Sequence, residues 1–181
     1  LDGSEPTAAS PRYTGPVEIG KSARFRATAL REGGENASYS REFAFSKSTG
    51  RPAVLNTKPN DSYTFEGASL LVDGYHSRPV FTSGAWLGEP LDVTIDMGGE
   101  QSYRSVELET LAEKGDWIFP PSSVTVWVSD NGTDFTEVAS VAVPEAKAGD
   151  ADGIGRYRMQ FPETSARYLK VVAQNAAAIP A

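Results

Sequence analysis

The 181-residue chain has no cysteine and a single histidine, His76. The first absence excludes disulfide scaffolds, thiolate metal sites and cysteine nucleophiles. The second means that Ser-His-Asp catalysis or a histidine-rich zinc site would have to be built around one position. His76 lies in the turn-like stretch Asp73-Gly74-Tyr75-His76-Ser77-Arg78-Pro79, where a surface loop side chain is the ordinary reading and a ligand contact the alternative. No apolar run approaches the roughly 18 residues that span a membrane, and no signal peptide is visible. Positive charge is in short supply: 17 Lys and Arg stand against 24 Asp and Glu, a net charge of −7. That balance argues against nucleic acid or an anionic membrane as the main partner and leaves uncharged sugars and basic ligands open.

Helical periodicity is scarce as well. What the chain has instead is 17 glycines and 12 prolines, the punctuation of many turns. Ser22 to Leu30 alternates, with Ala23, Phe25, Ala27 and Ala29 on one face, and Tyr39 to Phe45 alternates again, expected to bury Tyr39, Phe43 and Phe45. Period two predicts half-buried strands. Residues 47–62 are rich in turn formers and mark the expected boundary, with Ala53-Val54-Leu55 as the first strand beyond it. Further strands are expected at 91–97 (stopping at Gly98-Gly99), 103–111, 124–129, 135–143, 156–161 and 166–173. Turns at such spacings predict an all-β sandwich or jelly roll. No internal repeat or low-complexity segment interrupts the pattern.

Two sets of motifs resemble known families. Leu1-Asp2-Gly3-Ser4-Glu5-Pro6-Thr7, then Ser10-Pro11-Arg12-Tyr13-Thr14-Gly15-Pro16, then Arg24-Phe25-Arg26-Ala27 resemble the C-terminal domain of chitobiases and β-hexosaminidases over residues 1–46. From residue 47 the chain resembles a discoidin domain (coagulation factor V/VIII type C), an architecture shared with family 32 carbohydrate-binding modules. The matching residues are Leu71-Val72-Asp73-Gly74, Trp86-Leu87-Gly88, Val93-Thr94-Ile95-Asp96-Met97-Gly98, Trp117-Ile118-Phe119-Pro120-Pro121, Val126-Trp127-Val128-Ser129-Asp130-Asn131-Gly132 and Ala166-Arg167-Tyr168-Leu169-Lys170. The tandem order is similar to the C-terminal region of bacterial family 20 glycoside hydrolases. The expected organisation is therefore a small immunoglobulin- or fibronectin-like β unit at 1–46 and a discoidin-type jelly roll at 47–181. Discoidin domains usually add a strand after the Tyr-Leu-Lys strand, which this sequence leaves out, and the start at Leu1 inside a strand-turn unit reads as a fragment.

The resemblance implies a sugar site in the loops at one end of the jelly roll. An aromatic ring takes the apolar face of a sugar while polar groups bond its hydroxyls. The residues available are Tyr75, His76, Arg78, Phe81 and Trp86 in one segment, with Glu113, Lys114, Asp116 and Trp117 in another. Of these, Tyr75, His76, Arg78, Trp86, Lys114, Asp116 and Trp117 form the expected ligand set. Trp86 can be an exposed platform or a plug at the bottom of the barrel. Trp117, before Ile118-Phe119 and two prolines, favours a core or rim role, and Trp127 a structural one. Galactose-binding relatives place an Arg and an Asn where this chain has Thr110 to Glu113, and a His near Thr82 to Gly84. None is present there, which points to a different sugar or to none.

The resemblance further implies a structural calcium through Asp73, with no cofactor required. Asp150-Ala151-Asp152-Gly153 lacks the spacing of a calcium loop and reads as solvated turn carboxylates. Glu107 and Glu109 share one strand face and read as solvent-exposed. Nothing in the chain supplies the βα alternation of a glycosidase barrel, so the fragment is expected to be catalytically inert. Its expected partners are glycan and the catalytic domain of a parent hydrolase, with no nucleic acid and no membrane insertion, in a bacterial periplasm or outside the cell. The alternative is a pair of structural modules that stabilise the parent's catalytic domain.

Overall fold

Arg24, Arg26 and Thr28 alternate with Ala23, Phe25, Ala27 and Ala29, and Ala23–Ala29 forms strand β1. It pairs antiparallel with β2, Ala37–Phe43, from Ala23↔Phe43 to Ala29↔Ala37. Directly opposed residues share a face, so the register gathers Phe25, Tyr39, Arg41 and Phe43 on one side and Arg24, Arg26, Thr28, Ser38, Ser40 and Glu42 on the other. The computed structural model describes residues 3–31, 33–64, 67–77, 89–147 and 149–176. The hairpin belongs to a first unit, Leu1–Lys47 with Gly74–His76; Ser48–Asp73 and Ser77–Ala181 form the second.

Gly74–His76 joins the first unit through specific contacts. Tyr75 bridges to Phe43, with ring centroids 5.1 Å apart, and the Arg41 guanidinium lies 3.8 Å over the Tyr75 ring. The Ala44 N–H donates to the Gly74 carbonyl at 2.7 Å. Among the unit's described residues only Gly74 is buried. Tyr39, expected inside, is 54% exposed, because a two-stranded ribbon has no second layer to enclose an amphipathic face. Its ring sits tilted against Phe25, centroids 6.3 Å apart.

The second unit is an antiparallel sheet of five strands in the order β3-β4-β7-β5-β6. They are β3 (Ala53–Leu55), β4 (Leu91–Ala112), β5 (Ser123–Ser129), β6 (Thr136–Ala142) and β7 (Gly153–Gln174). Among the described residues the helical turns are three short 3-10 segments, Asp61–Tyr63, Gly67–Val72 and Lys114–Asp116. Four expected strands prove to be two. Gly98-Gly99 does not stop the first of them: Gly98 takes φ 77, its N–H donates to Asp96 Oδ1 at 2.8 Å, and pairing slips between Asp96 and Gln101 before resuming. A second slip between Tyr103 and Ser105 falls opposite Gln160 to Thr164, the stretch that had been expected to separate two strands. Bulges bend paired strands without ending them.

The bends let one hairpin supply both layers of a core. Leu91, Val93, Ile95 and Met97 of β4, Val124 and Val126 of β5, and Leu169 and Val171 of β7 meet Tyr103, Met159 and Phe161 from beyond the bends. Tyr103 donates its buried hydroxyl to the Ala166 carbonyl at 3.0 Å, and burial pushes its phenol up to about 12. Trp127 alternates with the buried Val126 and Val128 and sits half-buried on the opposite face of β5, the structural placement expected of it.

Candidate functional site

β4 ends at Ala112, opposite Gly153 at the start of β7, and the chain then crosses toward β5 through a tight loop. Glu113 and Ile118 exchange backbone hydrogen bonds of 2.9 and 3.1 Å. Between them the N–H groups of Asp116 and Trp117 donate to the carbonyls of Glu113 and Lys114 at 3.0 and 3.1 Å. Closing so short a loop needs a residue in the left-handed region, and Trp117 takes it, with φ 62 and ψ 27. Among the described residues it is the one non-glycine with positive φ. Such positions ordinarily carry glycine or asparagine, and a bulky side chain there costs about 1–2 kcal/mol. Packing does no more than offset that cost, since Trp117 is 69% exposed. The core or rim role expected from its apolar neighbours is therefore corrected. The turn geometry aims the ring at solvent, while Ile118 and Phe119 turn partly inward.

The turn is braced from its other side. Lys114, only 16% exposed at its side chain, donates from Nζ to Asp152 Oδ1 at 2.6 Å and to the Asp150 carbonyl at 2.7 Å. Its backbone N–H donates to Asp152 Oδ1 at 3.1 Å. Asp150 in turn accepts the Lys147 N–H through Oδ2 at 2.7 Å. The Lys114 side chain, then the Lys114 N–H, hold the Asp152 carboxyl below its ordinary value. Both aspartates are exposed, as the sequence reading has them, but the Asp152 carboxylate and the Asp150 carbonyl also serve Lys114. They tie the loop before β7 to the tryptophan turn, a role that the sequence does not expose because it depends on β4 and β7 being partners.

The remaining expected ligand residues are dispersed. Asp116 is exposed beside Trp117. Tyr75 and His76 belong to the first unit, Tyr75 on Phe43 and Arg41 as described, and both are engaged in interactions. Arg78, Phe81 and Trp86 lie outside the described residues. Ser77, in the second unit, donates its N–H to Glu109 Oε2 at 2.6 Å, and Glu109 Oε1 pairs with Arg156 Nε at 2.9 Å. Glu109 is therefore enclosed, its side chain 10% exposed, which corrects its reading as solvated. Its neighbour Glu107 stands opposite Arg158 as Glu109 stands opposite Arg156, so two glutamates on one face are half of a charge ladder rather than a catalytic pair. Asp73 is half-buried and already engaged. Among the described residues no three His, Asp or Glu side chains gather to hold a metal.

Residues 55–180 match the family model described as F5/8 type C domain, and residues 1–41 that of the chitobiase/beta-hexosaminidase C-terminal domain. No curated protein matches the chain. Among solved structures, chitosan-binding module 1 from a chitosanase/glucanase of Paenibacillus sp. IK-5 is similar at 17% identity and TM-score 0.50, over 74% of this chain and 89% of that one. A CBM32 module of Clostridium perfringens, solved with GalNAc-β-1,3-galactose, is 16% identical over 71% and 86%, with TM-score 0.49. The C-terminal domain of a chitobiase from Bacteroides fragilis is 17% identical over 73% and 87%, with TM-score 0.44. At these identities the first likeness speaks to the fold alone.

Proposed function

The chain belongs to the F5/8 type C domain family through residues 55–180, and from that premise we propose that it is a non-catalytic accessory module that holds a secreted glycoside hydrolase on glycan. One observation carries the reading. An exposed tryptophan occupies a left-handed position that strains it, in a turn braced by Lys114 and Asp152. Backbone strain at an exposed residue, with no net packing gain to account for it, is a feature that clusters at functional sites. A rigid, solvent-facing indole is what the apolar face of a pyranose stacks on. The fold neighbour with TM-score 0.50 is named for chitosan, and a glycan is the ligand class that this likeness favours. Isothermal titration against chitin- and chitosan-derived oligosaccharides, N-acetylgalactosamine and galactose tests the proposal. Saturable heat with at least one of them, lost in Trp117→Ala, is expected. No saturable heat with any, or equal binding by Trp117→Ala, overturns it.

A specific observation favours a second role for the first unit, packing against the parent's catalytic domain. Tyr13, Val17, Leu30, Tyr39 and Tyr75 are all exposed large apolar residues of that unit, which has a single buried position, Gly74, among its described residues. Exposed apolar side chains on a unit with so little core of its own support a partner that covers some of them. Melting the parent enzyme with and without residues 1–181 distinguishes the roles: a lower midpoint without them supports packing, and an unchanged midpoint removes it.

A further inference from the structure

The hairpin of the first unit has a second, polar face, where Arg26 stands opposite Ser40 and Thr28 opposite Ser38. Glu5 and Pro6 lie over it, and together these residues line a groove of about 260 Å³. Arg26 is largely enclosed there, its side chain 24% exposed, and its Nη1 pairs with Glu5. The Arg26 Nε–H is buried and meets no acceptor. A buried donor left unmade is costly, and native structures ordinarily pair such groups. Ser38 and Thr28 cannot both turn to it freely, because their hydroxyls bond each other at 3.1 Å. That bond uses one of their two protons, leaving one donor and spare acceptor capacity facing the groove.

These features define a ligand. Glu5 compensates the charge of Arg26, so an anion gains little. What the groove lacks is a neutral oxygen to accept from Nε, on a molecule whose other groups can exchange hydrogen bonds with hydroxyls. The volume lies below the roughly 300 Å³ at which pockets for drug-sized ligands begin, which suits a single ring rather than a folded segment of protein. We propose that this groove is a separate sugar subsite. It takes one neutral sugar residue, whose hydroxyl or acetamido oxygen accepts from Arg26 Nε–H while its hydroxyls bond Ser40 and the Ser38–Thr28 pair. It belongs to the first unit, whereas Trp117 belongs to the second, so it does not depend on the tryptophan turn being a sugar platform. With both in place the chain carries two sugar sites, one on each unit.

The test uses the full chain as Trp117→Ala, labelled with ¹⁵N and titrated with N-acetylglucosamine. Saturable shifts are expected at the amides of residues 26–28 and 38–40 and at the Arg26 Nε–H, with millimolar affinity of the order usual for one weak site. Arg26→Lys keeps a cation for Glu5 but has no Nε, and weakens binding by at least about fivefold. If that variant disturbs the hairpin signals, Ser40→Ala leaves the Glu5 pair intact and is expected to weaken binding by at least about twofold. Absence of saturable shifts at these signals overturns the subsite and leaves a water as the partner of Nε. So does an unchanged midpoint in a folded Arg26→Lys or in Ser40→Ala.

Discussion

Replacing Trp117 by glycine and, separately, by alanine separates a strained platform from a packed residue. With 69% of the residue exposed, about a third of a tryptophan's ~250 Å² is buried, and at ~25 cal/mol per Å² that contributes at most about 2 kcal/mol. Alanine loses this and keeps the left-handed backbone, so Trp117→Ala is expected to cost about 2 kcal/mol. Glycine loses the same packing, recovers about 1–2 kcal/mol of backbone strain, and gives back about 0.5–1 kcal/mol through a freer unfolded chain. Trp117→Gly should therefore cost only about 1 kcal/mol and be the more stable of the two by about as much. A core tryptophan cut to alanine costs about 3–5 kcal/mol instead.

Urea unfolding followed by far-ultraviolet circular dichroism gives the stabilities, and titration with the best oligosaccharide from the panel gives the affinities. Both variants should lose at least about tenfold in affinity, or 1.4 kcal/mol, because neither retains a ring. A loss of 3 kcal/mol or more in both would place the ring in the core and refute the reasoning. So would an alanine variant as stable as the glycine one, since the backbone would then not be strained. Retained affinity in both variants would remove the platform while leaving the strain.

Three further outcomes follow from the same geometry. Lys114→Met removes the bonds to Asp152 and Asp150 and should weaken sugar binding by at least about threefold with Trp117 present, since a site held loosely by its surroundings loses alignment; titration checks it. Asp96 is bound by both Arg167 Nε and Nη2, at 2.9 and 2.8 Å, and by the Gly98 N–H, which together lower its carboxyl from 3.8 to about 2. A folded-state value below the unfolded one adds stability above pH 3.8 that is lost as pH falls through about 2. The melting-temperature gap between the wild type and Arg167→Met should thus close across that window, and a gap that persists below it counts against the pair. Gly132 takes φ 76, and a Cβ there would lie 3.3 Å from Tyr168 Cζ, so Gly132→Ala should cost about 1–2 kcal/mol in urea unfolding.

Local alternation was enough to read β1, β3, β5 and β6 in the sequence to within a residue or so, because each has a short amphipathic or apolar run bounded by turn residues. It failed at Gly98-Gly99, where the residues that would end a strand instead permit a bulge. Whether such a pair terminates or bends depends on a partner strand that lies nearly 70 residues away, at Ala166, and no local pattern contains it. Tyr39 failed for the converse reason. Its alternation is real, but a period of two reports a face and not what covers it.

Trp117 shows the sharper limit. Its neighbours Ile118 and Phe119 argue for burial, and hydropathy cannot tell that a four-residue turn places the ring at φ 62. Gly115 and Asp116 are the turn residues that hint at it, and the decisive information is the Glu113–Ile118 bridge.

The site's chemistry follows from how its charges are divided. Lys114 was expected to touch ligand, yet two of its three ammonium protons serve Asp152 and the Asp150 carbonyl, and little of it reaches solvent. Its work is to hold the turn. Asp116 is the charged side chain left exposed beside the ring, and an ionised carboxylate only accepts hydrogen bonds. A ring flanked by an acceptor, with Lys114 already spent on bracing the turn, favours ligands that bring donors, such as sugar hydroxyls or an amino group, over ligands that bring negative charge. The net charge of −7 acts in the same direction at longer range. On the proposed glycan-binding reading, local geometry and overall composition therefore favour the same ligands, neutral or basic glycans over sulfated or uronic ones.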